Sequence, residues 1–145
     1  MASNIQNVVI DTNVIVSAFL SSHDDVATVL VLNKLYKNEI RLYYSKEVLV
    51  EYKDVLNRER FKFDKREINR FINYVLEKGI VIEPEKINEE LIDKKDLPFY
   101  EIVMDKSIKE SKLITGNIKH FPVKPFIMTP TEYIKPLVNK CRDMV

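Results

Sequence analysis

The sequence has one cysteine, two glycines and no long unbroken apolar run. The single thiol, Cys141, forms no internal disulfide and offers no cysteine-based zinc site, and it fits a reducing compartment. Two glycines in 145 residues argue against a loop-rich or disordered chain. The apolar runs are too short to span a bilayer. The start, MASNIQNVVID, lacks both the basic stretch and the apolar stretch of a secretory signal. These absences predict a cytoplasmic protein that does not engage a membrane. Charge of one sign is missing too: 23 basic side chains stand against 22 acidic, for a net +1. Any nucleic-acid binding therefore needs a local basic surface. Repeats, linkers and low-complexity tracts are also absent. What is there is 46% apolar residues, enough for a core, and the length suits one domain over 1–145.

Strand and helix patterns alternate along the chain. Val8 to Ile10 read as a short buried strand, and Asn13 to Leu20 as a helix. Ala27 to Tyr36 is a second helical stretch. Ile40 to Tyr44, β-branched and aromatic, predicts a strand. Ser45 reads as the N-cap of a helix to about Leu56, with Val48, Tyr52 and Val55 facing the core. Asp64 caps another helix to about Lys78, with Ile68, Phe71, Ile72, Val75 and Leu76 on one face, and Gly79 stops it. Ile80 to Ile82 is a strand ended by Pro84. Asp96 precedes a helix with Pro98 in its first turn. Leu113 to Thr115 and Phe126 to Met128 are strands, and Pro130 opens a last short helix. Strands separated by helices imply crossover connections, hence an α/β fold with a parallel sheet and helices on both faces. In such folds sites gather beyond the carboxyl ends of the strands, where Asp11 and Asn117 fall.

The opening stretch NVVIDTNVIVSAFL sets Asp11 between two apolar runs, and a buried carboxylate is costly unless paired, hydrogen-bonded or metal-bound. Taken alone, Asp11 reads equally well as a helix cap or as a working acid. Glu51 alone reads as a solvated helix position, and Glu101 as a surface residue. One of Asp93 and Asp96 reads as a cap. Asn117 reads as a turn residue tolerating a left-handed backbone. As a set, acids at strand ends and helix starts suit a hard divalent cation, which takes several oxygen ligands on one spot.

VVIDTNVIVSAFL, SKEVLVEYKDVL, DKKDLPFYEIVM and LITGNIKHFP with FIMTPTEYI together resemble the PIN-domain family, and within it the toxins of bacterial toxin–antitoxin pairs. The resemblance covers nearly the whole chain in the family's order. It implies a three-layer α/β/α sandwich on a central parallel sheet, and endoribonuclease cleavage dependent on Mg²⁺ or Mn²⁺. Matched by position, the family's acids fall on Asp11, Glu51 and Asp96, with Asp93 as an auxiliary acid. The fourth position, often Asp, is Asn117 here. Thr12, Asn13 and Thr115 match the small polar residues of the pocket. Asp11 and Asp96, with Glu51, then hold the cation; Glu51 and Asn117 orient water, and Glu51 assists as a base. A neutral Asn117 brings one charge fewer, so one metal is expected rather than two, unless Glu101 or Asp93 supplies the lost charge.

RNA approaching an acidic pocket needs flanking cations. Lys94, Lys95, Lys119 and His120 are the candidates for phosphate contact, although Lys94 and Lys95 also read as ordinary solvated loop residues and His120, before Phe121 and Pro122, as one that packs a turn. Arg58, Arg60 and Lys62 interleave with Phe61 and Phe63, a pattern that either stacks a base or anchors a helical hairpin. The resemblance also implies a cognate antitoxin and self-pairing, with Leu30, Leu35 and Tyr36 as exposed apolar contacts. A receiver-like phosphoacceptor is disfavoured by the apolar residues before Asp11, and a DxD phosphatase by Asn13. The standing alternative is a catalytically weak or inactive PIN-like module that binds RNA or protein.

Overall fold

A computed structural model describes residues 5–135; Cys141 lies outside them. The chain runs β1 (Gln6–Ile10), α1 (Thr12–Leu20), α2 (Ala27–Tyr36), β2 (Ile40–Tyr44), α3 (Lys46–Leu56), α4 (Lys65–Lys78), β3 (Ile80–Val81), α5 (Leu97–Val103), β4 (Ser111–Ile114) and β5 (Ile127–Met128). Single 3₁₀ turns occupy Lys94–Asp96 and Ile118–His120, and residues 130–135 are helical. The five strands form one sheet in the order β3-β2-β1-β4-β5, and every pairing is parallel. Val8, Val9 and Ile10 are consecutive and each fully buried. Successive strand residues face opposite sides, so both faces of β1 are covered. The result is a three-layer α/β/α sandwich on a parallel sheet, the fold class that the motif resemblance implies.

The strand order reverses between β1 and β4, and this is what positions a site. The chain builds outward from β1 through β2 to β3, then returns to add β4 and β5 on the other side. Ile10 is level with Ile114, and the Asp11 amide donates to the Ile114 carbonyl at 2.9 Å. Asp11 and Thr115 therefore leave neighbouring strands side by side, at the switch point where ligands bind in open parallel sheets.

Local signals account for the helix bounds. The Ser45 hydroxyl accepts from the Val48 amide at 3.3 Å and Asp64 accepts from the Arg66 amide at 2.8 Å. Gly79 ends α4 without a left-handed backbone, since its φ is −70°. It is needed for space instead: a Cβ would stand 2.5 Å from the Val75 carbonyl and 2.9 Å from the Tyr44 ring.

Four expectations about packing are corrected. Leu56 joins Val48 and Tyr52 in the core, and Val55 is only half-buried. Leu76 is half-exposed, one step past the edge of the buried α4 face. Leu35 is wholly buried, and Leu30 and Tyr36 are half-buried, so this trio is not an exposed apolar face. Tyr36 lies edge-on to Tyr74 and beneath Arg70. Glu101 is buried rather than superficial: it accepts the Ile87 amide at 2.8 Å and stands 3.9 Å from the Lys86 ammonium. That contact holds the irregular stretch 82–93, whose Glu85 amide also reaches Asp105 at 3.2 Å.

Candidate active site

Asp11 stands where β1 meets α1. It occupies the N-cap position, but its carboxylate makes no cap hydrogen bond. It faces β4 instead, accepting the Thr115 hydroxyl at 2.8 Å and the Asn13 amide group at 3.2 Å. Asn13 also accepts the Gly116 amide at 2.9 Å, so it bridges the two strand ends. A Cβ on Gly116 would press on that same Asn13 oxygen at 3.1 Å. Thr115 is fully buried, and its oxygen accepts the Asn117 amide at 3.0 Å. Burial first, then the charges of Asp96 and Glu51, push the Asp11 carboxyl up to about 7, against the opposing pull of Thr115 and the Thr12 amide.

Glu51 arrives from the middle of α3. Thr12 donates its hydroxyl to the Glu51 carboxylate, and the next residue, Tyr52, donates its phenol to the Ile10 carbonyl at 2.5 Å. Two adjacent residues of α3 are thus bonded to the two residues flanking Asp11. Burial and the Asp96 charge raise the Glu51 carboxyl, while the Thr12 bond, Lys95 and Arg58 favour its ionised form. Asp96 enters from the 3₁₀ turn ahead of α5 and is buried. Its carboxyl is raised by burial and by Asp93, and lowered by His120. The His120 Nδ1 lies 3.2 Å from the Asp96 carboxylate, and one ligand atom each of Asp93, Asp96 and His120 lie within 4.8 Å of one another. Asp93 is the cap of this turn, accepting the Lys95 amide at 3.0 Å, and Asp96 makes no cap bond.

The fold therefore brings Asp11, Glu51 and Asp96 into one electrostatic neighbourhood, with Asp93 and His120 on the Asp96 side. Asn117 is different. It is exposed, its φ is −115° rather than left-handed, and its side chain makes no hydrogen bond among the described residues. The reach to Asp11 is made by Thr115, two residues earlier. Lys94, Lys95 and Lys119 are exposed around this rim. Glu101 is committed to Ile87 and Lys86, and it is absent from the charges that act on Asp11. The His120–Asp96 contact spans 24 residues of sequence and was not foreseen.

The donor set is carboxylate oxygens with one imidazole nitrogen, and Asp11 and Glu51 have no basic group in contact among the described residues. Such a set fits a hard or borderline divalent cation. A parallel α/β sandwich with clustered acids at its switch point suits metal-assisted chemistry on a bound ligand. A PIN-domain family model matches residues 7–119, and the chain belongs to the PIN-domain family. No curated protein matches the chain. No helix among the described residues is long and apolar enough to cross a membrane.

Proposed function

We propose that this domain, spanning 1–145, is an endoribonuclease dependent on Mg²⁺ or Mn²⁺. The carrying observation is Asp11, a carboxylate only 4% exposed, with neutral donors on one side and two further carboxylates nearby. Burying such a charge without a cation is costly. In this reading Asp11 and Asp96 hold the cation, with Glu51 close by and Asp93 and His120 on the Asp96 side. The cation supplies charge neutralisation at the phosphate and acidifies water.

Thr115 and Asn13 fix the Asp11 carboxylate, and Thr12 fixes that of Glu51. Glu51, in its ionised form, which the Thr12 bond, Lys95 and Arg58 favour, accepts a proton from the attacking water. Lys94, Lys95 and Lys119 draw the phosphate backbone in, and Asn117 donates or accepts at the rim. His120 orients Asp96 and takes part of the place left by the missing fourth acid. The motif resemblance supports a toxin working in the cytoplasm with a cognate antitoxin and a second copy of itself. Asn117 favours a second reading, a module that binds RNA and cuts it weakly, because its side chain is neutral and unbonded.

The test is cleavage of a labelled RNA with Mn²⁺, comparing the parent with Asp11→Asn, alongside melting with and without Mn²⁺. A cation at 100 times its Kd adds about 2.7 kcal/mol of stability. Equal cleavage by both proteins, or a melting temperature indifferent to millimolar Mn²⁺, refutes the metal-dependent reading.

A further inference from the structure

The connection between α3 and α4 concentrates charge. Residues 57–66 read NRERFKFDKR, five basic side chains against two acidic, so this stretch is net +3 and the rest of the chain is net −2. Asp64 is already engaged, capping α4 and standing 3.7 Å from Arg66. Arg58, Arg60 and Lys62 have no acidic partner in contact among the described residues.

The same hairpin carries a stack. The Phe61 and Phe63 rings lie 6° from parallel with centroids 5.0 Å apart, and the Arg60 guanidinium sits 4.9 Å from the Phe61 centroid. Phe63 meets Phe19 of α1 edge-on at 5.2 Å and packs against the core; Phe61 does not pack there. Phe63 alone suffices as an anchor. Phe61 and Arg60 extend the column outward, which core packing does not require. The backbone beneath is fixed: the Phe61 amide donates to the Arg58 carbonyl at 3.1 Å, and Lys65 bonds Asn57 at 2.8 Å. Lys62 is held at φ 52°, a costly left-handed conformation for a side-chain-bearing residue.

This column stands near the acids. Arg58 stands just past the C-terminal end of α3, its amide donating to the Val55 carbonyl at 3.2 Å, and its charge favours ionised Glu51 on that helix. The helix that begins beside Asp11 reaches Phe19 after about 10 Å. A guanidinium plane offers both charge and a stacking face, and bases are free to stack on it only in single strands.

We propose that this hairpin is a single-stranded RNA-binding arm of the acid site, with a nucleobase stacked on the outer face of Arg60 and its flanking phosphates on Arg58 and Lys62. The assignment rests on the ribonuclease reading above. The test uses the full chain carrying Asp11→Asn, a fluorescent ten-nucleotide oligouridine, and an abasic ribose-phosphate strand of equal length. R60K keeps the charge and loses the plane. It should weaken oligouridine binding about fivefold to tenfold and leave the abasic strand within about twofold. R58Q should weaken both alike and lower the slope of log affinity against log salt by about one.

Oligouridine affinity unchanged in both variants overturns the arm, as does a preference for polyglutamate over RNA. Cleavage by the chain with Asp11 intact reports separately. Cutting by that chain, with RNA affinity insensitive to Arg58 and Arg60, keeps the nuclease and removes the arm. Neither cutting nor RNA binding removes both.

Discussion

Asp11 and Glu101 are buried to the same degree, 4% and 3% exposed, and burial does not tell them apart. Their partners do. Glu101 is met by a backbone N–H from Ile87 and by the Lys86 ammonium, so its charge is answered from within the chain. Asp11 is met by a hydroxyl and an amide, and its nearest charges are the like charges of Asp96 and Glu51. Glu101 acts as a latch for the stretch 82–93. Asp11 is left with a charge that only something from outside can answer. The difference teaches that a candidate functional acid is marked by the mismatch between its burial and its partners.

Substitution should break the comparison in opposite directions. The largest effect expected is on Asp11→Asn, which should lower Mn²⁺-dependent RNA cleavage at least about a hundredfold, measured by initial rates. The same change should raise the metal-free melting temperature above pH 7, because it removes an unanswered buried charge. Glu101→Ala should do the reverse. It leaves the Ile87 amide unpaired and should cost about 2 kcal/mol in chemical denaturation, with turnover at saturating RNA within about threefold of the parent.

Proton competition sharpens the contrast further. In the folded, metal-free protein Asp11 holds its proton up to about pH 7, whereas the unfolded chain loses it near pH 4. Below about pH 4 both states are protonated. As pH rises from there to 7 the folded state forfeits this preference, so stability from this group falls. Mn²⁺ requires the ionised form, so its affinity should rise about tenfold per pH unit within the window, about 1.4 kcal/mol, and level off above 7. Titration calorimetry at several pH values measures it, and an affinity flat across this range contradicts a role for Asp11 in holding the ion. The smallest effect is expected for Asn117→Asp, which adds a charge at the exposed rim. It should tighten Mn²⁺ by only about threefold, read from the same calorimetry.

Much of the fold was legible because it is written in periodic and capping signals. The span of α2, the caps Ser45 and Asp64, and the alternation that yields a parallel sheet all follow from local rules. The meeting of Asp11 with Thr115 was approachable too, since both end buried strands. Glu101 was not legible. Its partners lie on an irregular stretch that has no period to read, so nothing marks residue 101 as buried. The His120–Asp96 contact is hidden for the same reason, crossing from one 3₁₀ turn to another. Asn117 drew attention by its place in the motif, yet the reach to Asp11 belongs to Thr115, whose hydroxyl is ambiguous in sequence because threonine also suits a strand.

The paired bonds from α3 to the residues flanking Asp11 carry one more consequence. Tyr52 is tied to Ile10 and Glu51 to Thr12, so α3 cannot leave the sheet while keeping either bond. Losing the helix and losing the acid constellation are then a single event in the protein's population of states. A partly melted chain, such as one caught during synthesis or on a stressed pathway, holds Asp11 without Glu51. Under the ribonuclease reading proposed above, cleavage would be confined to the fully assembled fraction, and activity would count folded molecules.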